Sequence, residues 1–197
     1  MPALFLLRGV NAVARERKIC VYCGSKPGAD GIYASEAASL GTAIAQSGFG
    51  MVYGGGNVGL MGITADSVLA AGGQVVGVIP HALKQRELAH QGLTELLVVD
   101  DMHERKALMA DRADAFITLP GGYGTLEELF EALAWSQLGI HQKPVGLLNT
   151  AGYFDHLLAF LDHAVKQEFL RDNHRTLLQI ERDPRKLVEN LIAAIDR

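Results

Sequence analysis

From Lys18 onward, short apolar runs alternate with longer segments of helical periodicity, and glycine, proline or asparagine stands between them. This alternation constrains the fold more than any other feature, because it is the pattern of βαβ units feeding a parallel sheet. The runs at 18–23, 49–53, 74–79, 95–99, 115–119 and 144–148 are almost continuously apolar. Strands covered by helices on both faces have that composition. Helices are expected over 32–47, 59–71, 101–113, 126–138, 154–168 and 184–195, the last with Pro184 in its first turn. The expected fold is α/β: one Rossmann-like, doubly wound parallel sheet with helices on both faces, spanning residues 18–197 behind an N-terminal arm of residues 1–17. Pro80 to Gly92 is the one irregular stretch. In such a fold, ligands bind outside the carboxyl ends of the strands, so the loops after strands are where function is sought.

Composition narrows the classes further. Eighteen basic against 22 acidic side chains leave a net charge of −4, which offers no electrostatic footprint for a nucleic-acid backbone. The apolar opening Met1 to Leu7 is short and is followed, not preceded, by basic residues, contrary to a signal peptide; no stretch approaches the length of a membrane span. The two cysteines, Cys20 and Cys23, lie three apart on an expected strand and so face opposite sides, which suits buried thiols in a reducing, cytoplasmic compartment. His156 and His163, flanked by Asp155 and Asp162, read as a solvated helix face, and no metal site is expected.

Nine of the 22 glycines gather in three loops that follow strands: Cys23-Gly-Ser25, Gly54 to Gly62, and Pro120-Gly-Gly-Tyr-Gly-Thr125. A helix that starts directly after such a loop offers free N–H groups and its positive dipole end to a phosphate. Both long loops meet that condition. Gly54, Gly56 and Gly59 fit G-x-G-x-x-G, but no acid ends the following strand, Val75 to Ile79, to hold a ribose. The chain also lacks G-x-x-x-x-G-K-[ST], which leaves a monophosphate as the better ligand.

Two polar groups border these loops. Thr125 and Glu128 have the spacing of a capping box opening the helix at 126–138, while Glu128, Glu131 and Trp135 form a stripe apart from the core positions Leu126, Leu129, Phe130 and Leu133. Glu128 is therefore either a capping, solvated carboxylate or one that faces the phosphate loop. Arg105 and Lys106 stand where positive charge opposes a helix dipole, so they pair either with nearby acids or with an anionic ligand. Arg86-Glu87-Leu88 in the irregular stretch could close over the site.

Taken together, Cys23-Gly-Ser25, Gly54 to Gly62, Val78-Ile-Pro80, Met102-His-Glu-Arg-Lys106, Pro120 to Glu128 and Trp135-Ser-Gln-Leu-Gly139 closely resemble the Lonely Guy family of cytokinin riboside 5′-monophosphate phosphoribohydrolases. The signature P-G-G-x-G-T-x-x-E is matched without a gap by Pro120 to Glu128. Relatives often carry a lysine decarboxylase label, but no pyridoxal lysine context stands in this sequence. The resemblance implies hydrolysis of the N-glycosidic bond of N6-substituted adenosine 5′-monophosphates, without cofactor or metal. Plain AMP is a further implied substrate. It implies Arg105 and Glu128 as the catalytic pair and Gly121, Gly122, Gly124 and Thr125 as holders of the 5′-phosphate. Substrate contacts from Glu87, Lys106, Tyr123, Glu127, Ser25, Gly55 and Met102 follow from the same likeness. The implied partners are the nucleotide and a second copy in a homodimer, with no nucleic acid and no membrane. Neither catalytic residue is expected in the core. A general AMP or purine-nucleotide nucleosidase, and a non-catalytic carrier similar to molybdenum-cofactor carriers, are the competing readings.

Overall fold

The computed structural model describes residues 16–84 and 88–197, so most of the expected arm, residues 1–15, lies outside the described residues. Seven strands form one all-parallel sheet: β1 (Lys18–Tyr22), β2 (Gly50–Tyr53), β3 (Val75–Pro80), β4 (Glu95–Val99), β5 (Ala115–Thr118), β6 (Val145–Leu148) and β7 (Leu178–Glu181). Their order is β4-β3-β2-β1-β5-β6-β7, so the winding reverses between β1 and β5. The helices are α1 (Gly31–Gln46), α2 (Gly59–Ala70), α3 (Met102–Arg112), α4 (Tyr123–Gln137), α5 (Asp155–Lys166), α6 (Asp172–Arg175) and α7 (Pro184–Ile195).

Alternation along the central strands divides the core into two layers. Ile19, Val21, Ala115 and Ile117 face α1, α2 and α7, where Leu40, Ile44, Leu60, Val68, Leu187 and Leu191 meet them. Cys20, Tyr22 and Phe116 face the other way, toward Met109 of α3, Leu129 of α4 and Leu161 of α5. Cys20 and Cys23 thus occupy opposite layers, both free and buried, as two residues three apart on a strand must.

Local chemistry sets the helix starts. Asp30 caps α1 by accepting from the Ile32 amide at 3.1 Å, and Asp183 caps α7 ahead of Pro184 by accepting from the Arg185 amide at 2.9 Å. At α3, the Asp101 carboxylate accepts from the Glu104 amide at 2.9 Å while Glu104 reaches back to the Asp100 amide at 2.9 Å.

Three expectations are corrected. A seventh strand and the one-turn helix α6 lie in the C-terminal region. The run at 95–99, expected to be covered on both faces, is the edge strand β4 and leaves several residues exposed. The helix expected from 126 begins at Tyr123, so Thr125 lies inside its first turn and the capping box does not form.

Candidate active site

The loops after β1 and β5 meet at the reversal of the winding, where the Gly24 amide donates to the Pro120 carbonyl at 3.0 Å. Beside them a cleft of about 310 Å³ opens, lined among others by Ser25, Met102, Arg105, Gly122, Thr125 and Glu128. Tyr123, Gly124 and Glu127 border it as well. Of the residues expected at the site, Gly121 lies on a neighbouring cleft and Gly55 lines neither, while Glu87 lies outside the described residues, as does Arg86. Leu88 is exposed.

The α4 end of this cleft suits an anion. Gly122 is the N-cap and brings no side chain, and the first turn carries no acidic residue. The early N–H groups, which have no intrahelical acceptor, are therefore left to whatever enters the cleft. Gly121 admits no side chain because an added Cβ would overlap the Thr125 hydroxyl and stand 2.9 Å from the Gly24 amide nitrogen. Thr125 is itself buried.

The second glycine loop does different work from the phosphate cradle that its pattern suggests. The Leu60 amide at the start of α2 donates to the Gly24 carbonyl at 3.0 Å, so that N–H is already taken. Gly59 has φ +57 and sits so close to the β1–α1 loop that a Cβ would stand 2.6 Å from the Ser25 carbonyl oxygen. Gly55, with φ +76, packs against Ile79 and Leu96, and its carbonyl accepts from the His90 amide at 3.0 Å. This loop is a scaffold that braces the site from below.

Gly54 in that loop makes a socket for Arg105. The Arg105 Nη2 donates to the Gly54 carbonyl at 2.6 Å and Nε donates to the Val78 carbonyl at 3.1 Å. Arg105 is only 5% exposed, which corrects the expectation that it lies outside the core. The guanidinium is tolerated at this depth because backbone carbonyls take the place of water around it.

Lys106, the next residue, turns to α4. Its ammonium donates to the Glu127 carboxylate and, at 2.7 Å, to Glu131. Burial pulls its pKa down, but the bonds from Glu127 and Glu131 outweigh that and hold the ammonium above its ordinary range. The tie fastens α3 to α4, and with it Arg105 to the helix that bears Glu128.

Glu128 is half-buried in the second turn of α4. Burial raises the pKa values of Cys20, Cys23 and Tyr22, and the Glu128 carboxylate raises all three further. Its charge is thus felt at the carboxyl end of β1, beside the cleft, and not out in solvent. The two thiols stay protonated, so neither is a nucleophile. Among the described residues, no three His, Cys, Asp or Glu side chains gather as a metal-binding group, and no helix is long and apolar enough to cross a membrane.

Tyr153, which the sequence reading did not single out, reaches over from the loop after β6 and donates its hydroxyl to the Gly121 carbonyl at 2.6 Å. Its place just beyond a strand's carboxyl end was the available signal.

Residues 61–191 match a family model described as possible lysine decarboxylase. A probable cytokinin riboside 5′-monophosphate phosphoribohydrolase of Oryza sativa subsp. japonica is 49% identical over 178 residues, covering 90% of this chain and 73% of the relative. A cytokinin riboside 5′-monophosphate phosphoribohydrolase of Arabidopsis thaliana is 46% identical over 180 residues, covering 91% of this chain and 79% of the relative. Among solved structures, the molybdenum cofactor binding protein of Rippkaea orientalis aligns with a TM-score of 0.69 at 25% identity, over 93% of this chain and 99% of that one. At these identities and coverages, and with most of the signature loop bordering the cleft that holds Arg105, the chain belongs to the Lonely Guy family of cytokinin riboside 5′-monophosphate phosphoribohydrolases.

Proposed function

We propose that this protein hydrolyses the N-glycosidic bond of N6-substituted adenosine 5′-monophosphates, releasing the free base and ribose 5-phosphate. One observation carries the reading: a single cleft joins the uncapped first turn of α4 to Arg105 and Glu128. The 5′-phosphate accepts from the amides of the Gly122 to Thr125 turn, with the helix dipole adding to its hold. That anchor sets the ribose over the second turn of α4, where Glu128 stands.

Breaking a ribosyl C–N bond builds positive charge on the sugar, as in other glycoside hydrolyses, and a carboxylate beside the anomeric carbon stabilises that charge while it orients water. Glu128 fills this role. Arg105 acts as a planar cation with several donors that engages phosphate or ribose oxygens and takes no part in proton transfer. Its two carbonyl bonds fix where that charge sits. Ser25, Met102, Tyr123 and Glu127 line the remaining wall and contact the nucleotide, and Glu87, outside the described residues, is a further contact implied by the family likeness. Lys106 has one N–H donor beyond those spent on Glu127 and Glu131 with which to meet the substrate.

The exposed apolar residues Phe130, Leu138 and Ile140, on α4 and just beyond it, support a homodimer, which light scattering at micromolar concentration tests: a monomeric mass counts against it. The two free, buried thiols suit a reducing cytoplasmic setting. The function itself is tested by chromatography of the products formed from several nucleoside monophosphates. Release of base and ribose 5-phosphate is expected, with N6-isopentenyl AMP cleaved faster than AMP. Intact nucleotide throughout would favour the carrier reading, which the likeness to the cofactor binding protein keeps in view.

A further inference from the structure

A second cleft of about 400 Å³ lies behind the α4 loop, and it shares Gly24, Ser25 and Gly122 with the first. Tyr33 and Tyr153 form part of its wall, meeting edge to face at 5.9 Å. Tyr153 is unusually well fixed for a residue 45% exposed. The turn that bears it contains two successive left-handed residues, Ala151 at φ +50 and Gly152 at φ +73. An alanine in that region is strained by about 1 kcal/mol or more, and such strain persists only where the surroundings impose it. Here the surroundings do so. Asn149 donates to the Asp155 carboxylate at 2.7 Å and accepts from the Phe154 amide at 2.8 Å, which closes the turn from beneath. The Tyr153 ring then packs edge to face on buried Phe154 at 4.8 Å.

All of this holds one hydroxyl 2.6 Å from the Gly121 carbonyl oxygen. No peptide bond among the described residues is cis, so the Gly121–Gly122 unit is trans and its C=O and N–H point in opposite directions. A carbonyl drawn toward Tyr153 on the second cleft therefore turns the Gly122 amide away from it, and Gly122 also lines the cleft that contains Glu128. The bond polarises the peptide as well, which makes that amide a better donor.

We infer that Tyr153 is a positioning residue for the anion site: its hydroxyl orients and polarises the Gly121–Gly122 peptide so that the Gly122 amide meets the 5′-phosphate. This rests on the function proposed above. Tyr153 touches no reacting atom. Its effect should appear in the recognition of phosphate and be absent from the recognition of the base.

Tyr153→Phe removes the hydroxyl and leaves the ring contacts. A solvent-accessible hydrogen bond acting through a neighbouring donor changes affinity by about three- to tenfold. Inhibition of the full-length enzyme by ribose 5-phosphate and by free adenine is measured for both forms, with the KM for N6-isopentenyl AMP. The inhibition constant for ribose 5-phosphate and the KM are expected to rise by about three- to tenfold, while that for adenine stays within about 1.5-fold and kcat within about twofold. A general loosening of the fold would weaken both inhibitors together. That result, or an unchanged ribose 5-phosphate constant, overturns the proposal. If the unaltered enzyme neither hydrolyses nucleotides nor binds ribose 5-phosphate better than ribose, the proposed function falls first and this inference with it.

Discussion

Adding one methyl group at Gly54 probes the socket of Arg105 directly. A Cβ built there overlaps Nη2 and stands 3.0 Å from Cζ and 3.4 Å from Nε. Relaxed contact between such atoms needs about 3.5–4.0 Å, so Cζ must retreat by about 0.5–1 Å and the overlapping Nη2 by about 1.5–2 Å. The 2.6 Å bond to the Gly54 carbonyl does not survive that shift intact. A bond from a charged donor contributes about 1.5–3 kcal/mol, so Gly54→Ala should cost about 2 kcal/mol and lower Tm by about 4–8 °C in a chain of this size. Misplacing a catalytic group by about 1 Å costs on the order of 10²-fold in rate, and kcat/KM should fall by about that factor. Initial rates of base release and a thermal melt read both numbers. In the Arg105→Ala background the same substitution has nothing to displace, so Gly54→Ala/Arg105→Ala should match Arg105→Ala in both. Activity of Gly54→Ala within twofold of the unaltered enzyme, or an equal further loss in the Arg105→Ala background, would show that Gly54 is not the socket that places Arg105.

Other perturbations separate the remaining parts of the site. Glu128→Gln keeps the shape of the side chain and removes its charge; kcat should drop by about 10³-fold with the melting temperature nearly unchanged, and turnover above a tenth of normal would remove Glu128 from the chemistry. Lys106→Met frees the Glu127 and Glu131 carboxylates to repel each other and unties α3 from α4, at a cost of about 1 kcal/mol that shrinks in high salt; a salt-independent loss in denaturant titrations would argue against an ionic tie. Burial, helped by the nearby Lys143 charge, holds the His141 imidazole below its ordinary pKa of 6.5. The unfolded chain therefore takes up that proton first as pH falls through about 6.5, so stability declines below that point and is unaffected above it. His141→Gln should show a shallower fall of Tm between pH 7 and 5, and identical slopes would contradict the assignment.

Much of the architecture was legible because it depends on local pattern. A run such as Val75 to Ile79 is apolar on both faces, and Pro184 behind Asp183 marks a helix start that needs no tertiary partner. Strand β7 was hidden because Leu178 to Glu181 alternates weakly and lies at the sheet edge, where only part of it is buried. The signature loop borders the candidate cleft, yet its Thr125/Glu128 spacing imitated a capping box: sequence spacing could not reveal that Gly122, without a side chain, opens the helix three residues earlier. The burial of Arg105 was out of reach for another reason. It is created by a carbonyl 51 residues upstream in a loop whose glycines read equally well as a phosphate cradle. Tyr153 acts through a backbone carbonyl on a different loop, a relation that no residue spacing records.

The proposed function seats a 5′-phosphate on the first-turn amides of α4 and the anomeric carbon against residue 128. A crystal structure of the Glu128→Gln variant soaked with N6-isopentenyl AMP tests it most directly. Phosphate oxygens within hydrogen-bond distance of the Gly122 to Thr125 amides, with C1′ beside the residue 128 side chain, are predicted. Phosphate seated instead on the Gly54 to Gly59 loop, or a ribose remote from residue 128, would contradict it.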